Sequence, residues 1–274
     1  MVAMSDVWKI KNLNRQHTSF NVEKEWNGPF YFVQGADCQL GLIERYIERL
    51  ENPGWKKEIA LTKLAVEKIN NLNPKPKFFV ICGDLCDAFP TETPELRAQQ
   101  EADLKAILKQ IDPEIPLVCV CGNHDVGDIP TNDYYSFWCG GVLCLVVNSQ
   151  LWANGTQVPE LAAAQDKWLE QQLQEIKQGV SHPSALIFQH IPWFLNSPDE
   201  PATEYFTLKP DVRNNWLPKF KAAGWYEDME VVTTSAIGGQ LGTDLSGMRL
   251  VKVLSSGVEH QYHSLHEFPS QVTL

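Results

Sequence analysis

Lys77-Phe78-Phe79-Val80-Ile81-Cys82-Gly83-Asp84-Leu85-Cys86-Asp87 and, further along, Leu117-Val118-Cys119-Val120-Cys121-Gly122-Asn123-His124-Asp125 follow the same pattern. Each is an apolar, β-prone run that stops at a glycine and passes at once into ligand-type polar side chains. In an α/β sheet that junction lies at the carboxyl end of a strand, where ligands bind. Asp, Asn and His there suit hard divalent cations, and a neighbouring His stays free to move a proton.

The flanking segments supply the fold. Pro29 precedes Phe30-Tyr31-Phe32-Val33-Gln34-Gly35-Ala36, which reads as a first strand running into Asp37. Leu61, Leu64, Ala65 and Ile69 recur at near-helical spacing over 57–70, and Asn73-Pro74-Lys75-Pro76 ends that helix before a strand at 77–82. Leu104, Ile107, Leu108 and Ile111 repeat the pattern, closed by Pro113 and Pro116 ahead of a strand at 117–121. Strand, loop, helix, strand implies right-handed crossovers and parallel pairing.

Residues 135–138 and 142–147, around Gly140-Gly141, read as a hairpin, and 161–178 as a helix lined by Leu169, Leu173 and Ile176. A strand at 184–189 ends in Gln189-His190-Ile191-Pro192. Beyond the polar segment 197–210, a short helix carries Val212, Trp216, Leu217 and Phe220, and strands are expected at 230–235, 248–254 and 257–262. Together these predict an α/β protein: a four-layer α/β/β/α sandwich of two mixed sheets. One domain is expected over 29–266, with a lead-in at 1–28 and a C-terminal tail at 267–274.

Composition excludes several classes. The chain has 274 residues, 43% hydrophobic and 21% charged, enough for one large core. A net charge of −11 with no basic run argues against nucleic acid as a partner. Met1-Val2-Ala3-Met4-Ser5-Asp6 has neither a basic nor an apolar leader region, and no stretch approaches a membrane span, so a cytoplasmic protein is expected. The seven cysteines are odd in number and mostly sit inside apolar runs, which predicts reduced thiols. Cys82, Cys86, Cys119 and Cys121 flank the two loops, so a zinc site among them competes with a role as small apolar fillers. No Cys precedes an Arg by six residues, and neither Gly-x-x-x-x-Gly-Lys-Ser/Thr nor Gly-x-Ser-x-Gly occurs, so those chemistries are absent.

Asp37, Asp84, Asn123 and His190 each follow an expected strand, at intervals of 47, 39 and 67 residues. Parallel packing brings all four to one edge of the sheet. Asp84 is placed to bridge two cations about 3.5–4 Å apart, a spacing that holds a phosphoryl group and activates water for in-line attack. Asn123 and His190 would complete one metal's shell, His124 would protonate the leaving alkoxide, and Asp87 would hold its imidazole in the charged form. Trp152, Trp193 and Phe194 follow strand ends and serve either as walls of a substrate groove or as core packing. His260, His263 and His266 are expected at the surface.

Gly83-Asp84-x-x-Asp87 and Gly122-Asn123-His124-Asp125 resemble the signatures of the calcineurin-like metallophosphoesterases, and Gly35-Ala36-Asp37 and His190-Ile191-Pro192 stand in the matching order. The likeness runs over about residues 29–262. Within that family, Asn73-Pro74-Lys75-Pro76-Lys77-Phe78-Phe79 and Ser235-Ala236-Ile237-Gly238 are similar to a cytosolic branch of serine/threonine protein phosphatases. The resemblance implies phosphomonoester hydrolysis on two divalent metal ions (Mn, Fe/Zn or Mg), with a phosphoprotein as substrate.

Two departures matter. Gln39 stands where the family usually has His, a weak ligand at that position. The family's Gly-His-x-His loop, which supplies an imidazole to each metal, has no counterpart: Gly224 runs into Trp225-Tyr226-Glu227-Asp228. His260-Gln261-Tyr262-His263 lacks the leading Gly and follows the later strands, and the stretch from His124 to Tyr134 is short. The chain is therefore expected to be a shortened form, one strand and two ligands poorer, with impaired phosphatase activity. The alternative is a catalytically weak relative that binds a phosphoprotein or another partner.

Overall fold

The structure, a computed structural model, describes residues 23–127, 133–177, 185–203, 206–223 and 229–274. Most of the expected lead-in and the Gly224 junction lie outside the described residues. β1 (Phe30–Gly35), β2 (Phe79–Cys82) and β3 (Leu117–Val120) pair in parallel. β7 (Gly247–Leu254) joins β1 antiparallel and β8 (Gly257–Ser264) closes the row, giving the order β3-β2-β1-β7-β8. The second sheet is β4 (Tyr135–Cys139), β5 (Val142–Val146) and β6 (Ala185–Phe188), antiparallel then parallel. Both sheets are mixed, as expected.

The helices are α1 (Lys56–Asn70), α2 (Pro94–Leu108), α3 (Asn123–Val126), α4 (Gln150–Ala153), α5 (Pro159–Lys177) and α6 (Pro210–Ala222). Three of them open on proline, whose fixed φ suits a first helical position and whose missing N–H has no partner there in any case.

Side chains alternate across a strand, and this alternation builds the layers. Phe79 and Ile81 of β2 share one core with Ala65, Ile69, Leu104 and Leu108 of α1 and α2. Their neighbours Val80 and Cys82 turn the other way, onto Phe137 of β4 and Cys144 and Val146 of β5. On the far face of the second sheet, Leu143 and Leu145 meet Leu169, Leu173, Trp216 and Phe220 of α5 and α6. Three apolar cores between four layers make the sandwich, and near-continuous apolar strands are what burial on both faces demands.

Residues 230–235 do not form the expected strand. β7, the next strand, already has β1 and β8 on its two edges, and Met229 and Val231 pack against the third core without joining a ladder. The backbone of this run meets a side chain instead, with Arg249 donating from Nη2 to the Thr233 carbonyl at 3.1 Å. β6 pairs with β5 on one side and with no described strand on the other, and Ala185, Leu186 and Ile187 are only half-buried.

The terminal regions pack against the body. Gly141 donates to the Glu23 carbonyl at 2.9 Å, fixing the end of the lead-in on the β4–β5 turn. Residues 267–274 return to the first core through Phe268 and Val272, and Val272 donates its N–H to the Asn73 carbonyl at 3.0 Å. Arg213, fully buried on α6, pins the polar segment by donating to the carbonyls of Leu208, Pro198 and Glu200 at 2.7, 3.1 and 2.7 Å. Among the described residues no helix is long and apolar enough to cross a membrane.

Candidate metal centre

The loops after β1, β2, β3 and β6 converge. Asp37 donates its N–H to the Gly83 carbonyl at 3.0 Å and Gln39 its N–H to Asp84 at 2.9 Å, which ties the first loop to the second. His124 donates its N–H to Asp84 Oδ1 at 2.9 Å, tying the third. His190 reaches back from β6 to the Cys82 carbonyl through Nδ1 at 2.9 Å. Asp37, Gln39 and Asp84 all have left-handed backbones, with φ of 50°, 33° and 47°. Non-glycine residues hold that conformation at a cost, and such positions cluster at functional sites.

The motif glycines are required for close approach. Gly83, at φ 85°, faces the His190 ring so closely that a Cβ would fall on it. A Cβ on Gly122 would strike the Asp84 carboxylate and backbone nitrogen. Only glycine lets these loops close on one another.

Ligand atoms of Asp37, Asp84 and His190 lie within 4.8 Å of one another. Asn123 Oδ1 is 3.1 Å from His190 Nε2, and Asp84 Oδ2 is 3.5 Å from the same nitrogen. A carbonyl can only accept, so the Cys82 contact fixes the proton on His190 Nδ1 and turns Nε2 towards the acids. An outer carbonyl that orients a histidine in this way is the usual support of a metal ligand. Three oxygen donors and one imidazole suit Mn, Fe, Zn or Mg.

The electrostatics agree with this donor set. Burial disfavours a charged His190, but the Asp84 and Asp37 carboxylates outweigh it and lift the imidazole to about 10. Burial pushes Asp37 up to about 7, against the pull of His190. Burial also works against the Asp84 carboxylate, yet His190 and His124 hold it below the usual range. A buried acidic cluster that grips a proton this firmly attracts a cation in its place.

His124 sits beside the donors. Its Nδ1 is 2.6 Å from the Asp87 main-chain carbonyl and its Nε2 is 4.0 Å from Asp84 Oδ2, while Phe89 stacks on the ring at 4.3 Å. The expected orienting contact from Asp87 is thus made by its backbone. The carboxylate stands 3.8 Å from Nδ1 and faces Arg45 instead, with Oδ2 3.4 Å from Nη1.

Two residues outside the expected set hold the loops together. Arg97 of α2, 3% exposed, donates to the carbonyls of Ala88 and His124 at 3.1 and 2.9 Å and pairs with Asp125 at 3.1 Å. Asp125 in turn accepts from the N–H groups of Leu85 and Gly122 at 3.1 and 2.9 Å. An Arg with Glu101 four residues on looks like an exposed helix pair in sequence, so its burial could not be read there.

Other expected residues lie elsewhere. Trp193 is buried against Trp152 at 5.2 Å and Phe220 at 5.6 Å, so both tryptophans pack in the third core. His260 and His263 stand on β8 and His266 follows it, and His260 pairs with Glu230 at 2.8 Å. All seven cysteines are free, none belongs to the donor cluster, and burial pushes the Cys82 thiol up to about 12. Six of them are small fillers in the first two cores, and Cys121 stands half-buried with its Sγ 3.8 Å from the Asp133 carbonyl.

The profile of the calcineurin-like phosphoesterases matches residues 36–226. The chain belongs to this family. It is 45% identical to the serine/threonine-protein phosphatase CPPED1 of Homo sapiens, over 89% of this chain and 87% of the human protein. The Danio rerio protein of the same name is 44% identical, over 89% and 88%. These alignments run to 275 positions although only 89% of the 274 residues take part, so the relatives carry positions without counterpart here. Two solved structures share the fold at low identity. GAP50, the anchor in the inner membrane complex of Plasmodium, has a TM-score of 0.56 at 13% identity, covering 89% of this chain and 87% of its own. Purple acid phosphatase PPD1 from yellow lupin has 0.55 at 11%, covering 88% and 52%.

Proposed function

We propose that this calcineurin-like phosphoesterase is a metal-dependent phosphomonoester hydrolase acting on phosphoserine or phosphothreonine of a protein. The observation that carries the reading is the convergence of Asp37, Asp84, Asn123 and His190 beside His124. The names of the 44–46% identical relatives support the phosphoprotein substrate. The free thiols support a reducing compartment, the cytosol.

Asp37, Asp84, Asn123 and His190 would hold divalent metal. A divalent ion there would set positive charge against the phosphoryl oxygens and lower the pKa of a nearby water. The remaining chemistry belongs to the chain. His124, with Nδ1–H held by the Asp87 carbonyl, presents Nε2 to the leaving oxygen and protonates it as the P–O bond breaks. Arg97 and Asp125 keep the Asp84 and His124 loops in register for that transfer.

Of the described histidines only His124 and His190 stand at the site, so we propose that one ion is held well and a second weakly, with reduced turnover. Loss of nitrogen donors weakens metal binding. Elemental analysis of protein loaded with Mn and then dialysed should find about one equivalent retained. Two retained equivalents together with fast phosphopeptide hydrolysis would overturn the impairment, and none retained would overturn the metal site.

A further inference from the structure

Beside the Asp37 loop lies a concentration of exposed apolar side chains. Tyr46, Ile47 and Leu50 are 48, 45 and 47% exposed, and Leu241 and Leu245 are 70 and 68% exposed. They come from two segments that touch: Gly239 lies so close to Leu42, Ile43 and Ile47 that a Cβ there would collide with them. The first segment includes a π-helical turn, Ile43–Ile47, with no buried residue. Such turns recur at functional sites.

This rim is continuous with the metal centre at both ends. Ile237 and Gly238 donate to the carbonyls of Ala36 and Asp37 at 2.8 and 3.0 Å, so the second segment leaves directly from a donor loop. On the other side Arg45, its guanidinium 5.1 Å from the Tyr46 ring, reaches Asp87 at 3.4 Å. The acids of the turn are engaged elsewhere: Glu44 accepts from the Gly54 N–H at 2.6 Å, and Glu48 pairs with Lys57. Outward from the two segments stand these apolar side chains together with Arg49 and Asp244, the latter accepting a hydrogen bond from Ser235, and Arg45 is half-exposed where the rim meets the site.

Exposed apolar patches of this kind mark interaction sites, and a guanidinium at the inner edge complements phosphate. We propose that residues 43–50 and 239–245 bind the polypeptide flanking the phosphorylated residue, and select a bulky apolar side chain next to the phosphoserine or phosphothreonine. The occupant is a substrate strand because the rim leads into the donor loops. This rests on the phosphatase reading above and deepens it.

The test uses manganese-loaded full chain and two phosphothreonine peptides that differ only in Leu and Phe against Ser and Gly beside the phosphate. The apolar peptide should have a kcat/KM about tenfold higher. The double variant Ile47→Ser/Leu241→Ser, at exposed positions, should erase that preference and leave 4-nitrophenyl phosphate hydrolysis unchanged. A preference that survives the double variant, or a loss that extends to 4-nitrophenyl phosphate, overturns the rim. Fluorescence polarisation of the labelled apolar phosphopeptide reads the rim apart from turnover. Absence of hydrolysis with binding weakened about tenfold in the double variant would overturn the phosphatase reading and support the rim. Equal binding by the double variant would overturn the rim.

Discussion

Arg97→Ala is expected to destabilise the protein by about 3–5 kcal/mol, the effect of removing one partner of a buried ion pair. The substitution strands the Asp125 carboxylate, itself buried, and removes the donor from the carbonyls of Ala88 and His124. Burial pushes the Asp125 carboxyl towards the neutral acid, and the Arg97 guanidinium is the main opposing influence. At roughly 2–4 °C per kcal/mol for a chain of this size class, Tm should fall by about 10 °C. Arg97→Lys should recover only part of this, because an ammonium cannot span the same fork of acceptors. Thermal denaturation followed by circular dichroism checks both. A loss under about 1 kcal/mol, the scale of an exposed pair, would mean that the two loops do not depend on this clamp.

His124→Ala is expected to lower kcat by about 100- to 10,000-fold on a phosphoserine peptide, the usual contribution of a positioned general acid. The pattern across substrates is more diagnostic than the size. A serine alkoxide needs the proton that Nε2 delivers, whereas 4-nitrophenolate leaves without it, so the variant should lose far less on 4-nitrophenyl phosphate. KM should change little, because the proton is transferred only in the transition state. Steady-state kinetics on both substrates measures this. An equal loss on the two would make His124 a structural residue, and no loss on the peptide would remove it from the reaction.

Much of this molecule could be read from residue order, for definite reasons. Apolar runs that stop at Gly83 and Gly122 are visible because burial on both faces admits few polar residues and because only glycine permits the close approach that follows. The three-core layering follows from period-two alternation, so Val80 and Ile81 could be assigned to opposite faces once their strand was known. Residues 230–235 have strand propensity, which does not say whether a segment pairs with a neighbouring strand or only packs on a core. Arg97 is not legible in sequence because its spacing from Glu101 is that of a solvated helix pair. The tie from Asp87 to His124 was expected from the carboxylate and comes from the main-chain carbonyl, a group every residue possesses and no side-chain pattern reveals. The placing of Trp152 and Trp193 in the third core likewise depends on α6, whose Trp216 and Phe220 their rings meet.

The donor cluster around Asp84 is the centre of the account, and one comparison tests it most directly: turnover of 4-nitrophenyl phosphate by wild type and Asp84→Asn, each with manganese and after chelation. Asparagine keeps the shape and an oxygen but removes the charge that faces His190 at 3.5 Å. Wild type should turn over only with metal, and Asp84→Asn should be at least about 100-fold slower while still folded. Turnover that survives chelation, or an Asp84→Asn protein as active as wild type, would contradict the assignment of this site.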